Sequence, residues 1–185
     1  MCPIYSTATE RINTLVPFFR AGVARGEQCL YIADAQSVEH MLRPLRADGI
    51  DIDAAIERGA LVALTERTPY VRDGQFDPDA MFALPSTTAE RARTSGFCGV
   101  SIAGEMTWIV GPEPGESRFL ECEARLNDFP PGLGTRIVCQ YDRRRFPPAI
   151  LRDVLRIHPL GRCRRAHPRQ HGLRSRGSVV QKRAG

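Results

Sequence analysis

Three acidic residues, Asp34, Glu105 and Asp142, each come at the end of a short apolar run with the length of a buried strand. In an open α/β sheet, ligands bind at the carboxyl ends of the strands. If the runs form parallel strands, the three carboxylates meet at one edge of the sheet, where they can bind a small organic ligand or a cation. Carboxylates in such positions also cap helices or pair with nearby arginines, and the sequence leaves both interpretations open.

Three aromatic residues are expected near the same edge, where they would form the apolar wall of a pocket. Tyr5 ends the first apolar run, Trp108 follows the GEMT segment, and Tyr141 ends a later run. Glu123 is a further candidate, because it lies close to the apolar face of a predicted helix; the alternative is a solvated helix face. The predicted ligand-binding residues are therefore Tyr5, Asp34, Glu105, Trp108, Glu123, Tyr141 and Asp142.

The chain lacks the motifs of several common catalytic sites. It contains no GxxxxGK[ST] phosphate loop, no GxSxG elbow, no HExxH and no GxGxxG. The segment STATERINT at 6–14 has neither glycine nor lysine, so it cannot hold nucleotide phosphates as a phosphate loop does. The six cysteines form no CxxC pair and no zinc-finger spacing with histidine, which favours free, mostly buried thiols. We predict no catalysis, no metal and no cofactor.

The net charge of +5 is concentrated at the C-terminal end. Residues 160–185 carry eight of the 26 basic residues and no acidic one, so the preceding chain has 18 basic against 21 acidic residues. This balance argues against nucleic acid as a partner of the folded domain, and Arg143–Arg145 is better explained as a turn held by ion pairs. No apolar run is long enough to span a membrane and no secretory signal is present, so we expect a cytoplasmic protein without a membrane partner.

The hydrophobic pattern predicts a scaffold that could position these residues. Apolar runs at 3–5, 28–33, 60–64, 99–103 and 136–140 predict strands, and helical periodicity predicts helices over 9–26, 37–47, 52–58, 79–95, 116–129 and 149–157. Thr9 is the predicted N-cap of the first helix, and 65–78 is predicted to be a loop. The alternation predicts a three-layer α/β fold with a mostly parallel sheet over residues 1–159. Residues 160–185 are predicted to be a disordered basic tail.

Four segments in order make a specific combination: GEQCLYI at 26–32, GEMTW at 104–108, ECEARLN at 121–127 and CQYDRRRFPP at 139–148. Their order and spacing resemble the MEDS domain over about residues 2–159. That family is named after sensory proteins of methanogens and methylotrophs, which include the repressor DcmR of dichloromethane metabolism. The chain is identified by this resemblance as a member of the family.

The resemblance implies a sensory domain for small organic or hydrocarbon-derived ligands, alone or joined to DNA-binding, histidine-kinase or anti-sigma modules. It also implies a RecA/KaiC-like core without a phosphate loop, in which Tyr5–Thr14 takes the place of that loop and Glu105 ends the strand that would carry the Walker B acid. The chain departs from the family after His158-Pro159, where members usually continue into another apolar strand. We therefore expect the sheet to lack an edge strand.

Our leading interpretation is a non-catalytic sensory and regulatory domain. Binding of a small organic ligand at the strand ends would shift the GEMTW and YDRRR loops and change a contact with a separate regulatory protein. Two alternatives are a protein-interaction module without a small ligand, such as an anti-sigma or kinase partner, and a nucleotide-binding RecA-like remnant. A further alternative is DNA binding through the tail.

Overall fold

The structure, a computed structural model, describes residues 1–65, 69–72, 75–110, 116–127 and 134–158. The predicted tail and the GPEPG segment at 111–115 lie outside these ranges. Within them, no helix is long and apolar enough to cross a membrane. The strands in chain order are β1 (Ile4–Tyr5), β2 (Gln28–Ile32), β3 (Leu61–Leu64), β4 (Val71–Arg72), β5 (Gln75–Phe76), β6 (Val100–Glu105) and β7 (Thr135–Asp142).

Helices account for most of the remaining described chain. A short 3-10 helix, Thr107–Val110, follows β6. The α-helices are α1 (Ala8–Ala24), α2 (Ala35–Ala47), α3 (Ile52–Glu57), α4 (Pro78–Thr94), α5 (Glu116–Asn127) and α6 (Pro148–Ile157). The predicted α/β class is confirmed, since five strands form one parallel sheet in the order β1-β7-β6-β2-β3 and helices flank it.

The sheet is the middle of three layers. Successive strand residues point to opposite faces, so Tyr31 packs with α1, α2 and α3 on one face, whereas Leu30 and Ile32 pack with α4, α5 and α6 on the other. We call these the α1–α3 face and the α4–α6 face. Phe19 and Phe119 are fully buried aromatic side chains on the two faces respectively, so each face has its own apolar core.

The direction of chain progression reverses between β2 and β6, which are neighbours in the sheet. The helix after β2, α2, packs on the α1–α3 face, and α5, which follows β6, packs on the α4–α6 face. Diverging connections of this kind leave a crevice at the carboxyl ends of the two strands, which is the usual ligand position in open α/β sheets. Asp34 and Glu105 lie at this crevice.

The structure differs from the predictions at several boundaries. Thr7, not Thr9, is the N-cap of α1, because its side chain accepts a hydrogen bond from the Glu10 backbone N–H at 3.2 Å. The predicted loop at 65–78 contains the antiparallel pair β4–β5, whose two-residue strands are too short to show an alternating pattern. The second helix begins at residue 35 rather than 37, and β6 and β7 continue to Glu105 and Asp142.

Candidate functional site

The sheet divides the seven predicted ligand-binding residues between its two faces. Tyr141 packs into the core of the α4–α6 face, so its neighbour Asp142 points to the other face. A pocket that combines Tyr5, Trp108 and Tyr141 in one wall is therefore not formed. On the α1–α3 face lie Tyr5, Asp34, Glu105 and Asp142, and on the α4–α6 face lie Trp108, Glu123 and Tyr141.

Glu105 is the centre of a buried polar cluster that fills the crevice between β2 and β6. Only 2% of the residue is exposed. Arg11 Nη1 donates to Glu105 Oε1 at 2.7 Å, and the Tyr31 hydroxyl donates to the same oxygen. Ser37 Oγ lies 3.2 Å from Glu105 Oε2 and accepts from Arg11 Nη1 at 2.6 Å. The cluster therefore joins β6 to α1 and α2 through side chains.

Asp34 belongs to the same cluster and also caps α2. Its Oδ1 accepts from the Ser37 backbone N–H at 2.8 Å, and its Oδ2 lies 2.9 Å from Ser37 Oγ. Burial opposes ionisation of Asp34, but the hydrogen bonds from Ser37 outweigh it, so the pKa of Asp34 lies below its usual value. Glu105 shows the opposite balance: burial raises its pKa, and the Tyr31 hydrogen bond and Arg11 charge only partly oppose this.

Tyr5 lies beside the cluster, with its ring centre 5.8 Å from Arg11 Cζ. Burial and then the charge of Glu105 raise the pKa of Tyr5 to about 12, so its hydroxyl stays protonated at neutral pH. Asp142 accepts hydrogen bonds from Arg144 Nε at 3.0 Å and Nη2 at 2.6 Å. These bonds lower the pKa of Asp142 and hold the YDRRR turn, as expected for a turn stabilised by an ion pair.

Three buried polar atoms around Glu105 have no hydrogen-bond partner among the described residues. They are Arg11 Nε and both atoms of the Gln140 side-chain amide. Gln140 pairs with Glu105 in the β6–β7 register and is fully buried. Because buried polar groups are normally satisfied by protein, water or ligand, these atoms are where a water molecule or a polar ligand atom would bind.

Trp108 lies on the opposite face, in the 3-10 helix that follows β6. Its ring stacks on Tyr70 with centroids 5.1 Å apart, and Phe76 approaches at 5.3 Å. Its indole Nε1 is buried without a hydrogen-bond partner in the described part of the chain. Trp108 is therefore a buried aromatic side chain whose indole N–H is an unsatisfied hydrogen-bond donor among the described residues.

Next to the Trp108–Tyr70 stack is a cavity of about 20 Å³. It lies between the sheet and α4, at the carboxyl end of β6, and Gly104 and Met106 form part of its wall. Its volume suffices for roughly one water molecule, but apolar walls of this kind leave such a cavity dry. Its other lining residues are Tyr70, Met81, Leu84, Pro85, Ile102, Leu126, Ile137 and Cys139.

Glu123 and Tyr141 are brought together behind this cavity. Glu123 on α5 is fully buried, and its Oε2 lies 2.7 Å from His158 Nε2. Burial raises the pKa of both Tyr141 and Cys139 well above their ordinary values, and the charge of Glu123 adds to this effect. Among the described residues, no group of three or more His, Cys, Asp or Glu side chains could hold a metal ion.

The first turn of α1, where a phosphate would bind in a nucleotide-binding domain, is occupied by the chain itself. The Ser6 backbone N–H donates to Glu10 Oε2 at 2.7 Å, and Thr7 accepts from the Glu10 N–H. A carboxylate already interacts with this helix N-terminus, so its charge repels a second anion. The geometry therefore does not favour phosphate binding here.

Several residues of the site were not predicted from the sequence. Arg11 could have been found, because it precedes Leu15 and Phe19 at four-residue spacing and so shares the buried stripe of α1. Tyr31 likewise alternates with Cys29 on one strand face. Tyr70 gave no such signal, since it lies in the segment predicted to be a loop.

A family model described as "MEDS: MEthanogen/methylotroph, DcmR Sensory domain" matches residues 1–159. The matched range includes every described strand and helix, from β1 to α6. A comparison with curated proteins finds no match.

Proposed function

The chain belongs to the MEDS family of sensory domains, and from this premise we propose that it binds a small apolar organic molecule beside Trp108 and signals to a separate regulatory protein without catalysis. The family match supports the sensory role. The observation that carries the ligand is the apolar cavity at the carboxyl end of β6. Its walls favour a hydrocarbon-like molecule, and Trp108 stacks on one of the lining residues, Tyr70.

The cavity is too small for an organic molecule unless part of its wall moves. The segment 106–110 is the part of the wall best able to do so, because it leaves the sheet after Glu105 and forms only a 3-10 helix. Its backbone hydrogen bonds include Met106 N–H to the Gln140 carbonyl at 3.0 Å and Ile109 N–H to the Met106 carbonyl at 3.2 Å. A ligand that occupies the cavity would therefore displace Met106 and Trp108.

Such a displacement would reach the other face of the sheet through one peptide bond. Met106 lines the cavity, and the preceding residue Glu105 is bonded to Arg11 on α1 and to Ser37 on α2. A ligand that binds better to the displaced arrangement shifts the population of the polar cluster. The surface of α1 and α2 would then report the presence of the ligand to a partner.

The predicted residues take two roles in this proposal. Trp108, Glu123 and Tyr141 support the cavity wall from behind, Trp108 by stacking on the lining residue Tyr70 and Glu123 through the lining residue Cys139. The predicted residues on the other face of the sheet position the polar cluster. This group consists of Tyr5, Asp34, Glu105 and Asp142.

The proposal can be tested with small apolar probes and the fluorescence of Trp108, which is the only tryptophan. We expect benzene or a halomethane to change the emission of the wild-type chain and to raise its melting temperature. Gly104→Val should abolish both effects, because a Cβ at Gly104 is tolerated, with its nearest neighbour at 3.6 Å, and the added methyl groups fill the cavity. Ala63→Val, on an exposed position of β3, is the matched control.

A response of Gly104→Val equal to that of wild type would place the ligand elsewhere. If neither benzene nor a halomethane changes the emission or the melting temperature of the wild-type chain, the ligand proposal is wrong. The alternative of a protein-interaction module without a small ligand would then be favoured.

A further inference from the structure

A second surface feature lies at the β1 edge of the sheet, away from the cavity. The groove has a volume of about 490 Å³ and runs between β1 and α6. Its floor is apolar and includes Ile4, Leu151 and Leu155, of which Leu155 is 41% exposed. Exposed large apolar side chains are few in the described chain, so this groove is a candidate interaction surface. We call it the edge groove.

The rim of the edge groove is positively charged. Arg143, Arg152 and Arg156 line it. Asp153 pairs with Arg156 at 3.3 Å and lies 3.7 Å from Arg152, so it offsets part of this charge. Arg143 forms no ion pair with any described residue. The groove therefore combines an apolar floor with a net positive rim, which favours an acidic occupant.

The backbone of β1 offers hydrogen bonds along the same groove. The carbonyls of Met1 and Pro3 accept from the N–H groups of β7, and that of Tyr5 accepts from the next N–H, of Arg143. Alternation therefore directs the backbone groups of Cys2 and Ile4 away from β7. In the sheet of described residues β1 is the outermost strand. Unpaired groups on an edge strand are a template for an added strand.

We propose that the edge groove binds an extended segment of a partner protein as a strand added to β1, and that the side chains of this segment on the α4–α6 side include both apolar and acidic residues. The apolar side chains would pack on Leu151 and Leu155, and the acidic ones would meet the arginines of the rim. This rests on the proposed function only in that a sensory domain signals to a partner; it is independent of any ligand in the cavity.

Charge argues against two other occupants. Residues 160–185 follow α6 but carry eight basic residues and no acidic one, so the rim repels them. A second copy related by a two-fold axis would present the same arginine rim, because such an interface joins one patch to itself.

The test measures binding of two labelled ten-residue peptides to the full chain by fluorescence anisotropy. In one peptide every second residue is valine or glutamate in turn, in the other it is valine or lysine in turn, and threonine occupies the positions between them in both. We expect the glutamate peptide to bind at least about tenfold more tightly. Leu155→Asp, and Arg152→Glu combined with Arg156→Glu, should each weaken it about tenfold or more. Arg91→Glu with Arg93→Glu, near the end of α4, is the control and should leave binding unchanged.

Equal binding of the two peptides, or no binding at millimolar concentration, overturns the proposal. Unchanged binding by the groove variants also overturns it, since the peptide would then be held by the basic residues 160–185. Loss of a concentration-dependent dimer in Leu155→Asp would assign the groove to a second copy instead. Hydrogen exchange should show the Ile4 amide protected by the peptide, and an unprotected amide rules out strand addition.

These outcomes are distinguishable from a failure of the ligand proposal. The response of Trp108 to apolar probes is measured on the same protein and does not involve the groove. A chain that binds the glutamate peptide but no apolar probe would keep the partner surface and lose the cavity site.

Discussion

Replacement of Arg11 by methionine should expose the energetics of the polar cluster. Methionine keeps the apolar stem of the arginine side chain but removes the guanidinium that pairs with Glu105 at 2.7 Å. Glu105 is 2% exposed, so the variant would bury an uncompensated carboxylate. The folded chain can avoid this only by protonating Glu105.

The cost of that protonation sets the size of the effect. From the ordinary carboxyl pKa of 4.5 up to pH 7, at about 1.4 kcal/mol per pH unit, it amounts to at most about 3 kcal/mol, because the pKa of Glu105 is already raised in the wild-type chain. This agrees with the roughly 3–5 kcal/mol lost when one partner of a buried ion pair is removed. Without Arg11, the folded variant binds the proton on Glu105 more tightly than the folded wild-type chain does, so its deficit relative to wild type shrinks as the pH falls toward 4.5.

Urea unfolding followed by Trp108 fluorescence gives the free energies of unfolding at several pH values. We expect Arg11→Met to lose up to about 3 kcal/mol at pH 7 and progressively less toward pH 4.5. The double variant Arg11→Met with Glu105→Gln should recover most of the loss and should lack the pH dependence that Glu105 causes in Arg11→Met. Arg20→Met, which breaks a surface pair with Asp48, is the matched control and should cost at most about 1 kcal/mol.

Two results would refute this reasoning. A loss for Arg11→Met no larger than that for Arg20→Met would mean that Glu105 gains little from its partner. A large loss that stays constant between pH 7 and 4.5 would mean that the effect comes from packing and not from charge.

Three further predictions concern other parts of the fold. All four tyrosines are buried, and burial raises the pKa of each. Ultraviolet titration should therefore show no tyrosinate in the folded chain at pH 10, and the free energy of unfolding should fall above that pH because the tyrosines of the unfolded chain ionise there. Tyrosinate in a folded chain at pH 10 would contradict this. Gly99→Ala should cost about 1–3 kcal/mol in urea unfolding, because its Cβ would lie 2.5 Å from the Gly134 carbonyl oxygen. Gly104→Ala should be tolerated, because the nearest neighbour of its Cβ would be 3.6 Å away. Equal costs for the two variants would disprove the steric account. The Arg144 hydrogen bonds lower the pKa of Asp142, so Asp142→Asn should be less stable than wild type at neutral pH. The difference in stability should vanish as the pH falls below 3.8, the ordinary pKa value of the carboxyl group. A difference that stays constant with pH would count against the ion pair.

Much of the fold could be predicted from local pattern. The five strands of the parallel sheet have apolar runs, and every α-helix shows helical periodicity, because burial of one face imposes these periods on the sequence. The pair β4–β5 was missed, since strands of two residues are too short for a period. The capping residue of α1 was misplaced by two positions, because Thr7 and Thr9 have the same chemistry and only the geometry of Glu10 distinguishes them.

The candidate site was harder to predict than the fold. The sequence indicated that Asp34 and Glu105 follow strands, and the structure places both at the crevice between β2 and β6. It could not show that Arg11 pairs with Glu105 across 94 positions of the chain. Long-range ion pairs leave no periodic signal.

By itself, the sequence determined the α/β class, the strand ends that carry polar residues, the concentration of positive charge beyond residue 159 and the resemblance to a sensory family. These properties follow from local composition and spacing. Only the tertiary structure decided which strands are neighbours, and hence that Tyr141 and Asp142, adjacent in the chain, serve opposite faces of the sheet. Strand order and face determine which side chains meet, so the division between a polar cluster around Glu105 and an apolar cavity beside Trp108 could come only from the folded chain.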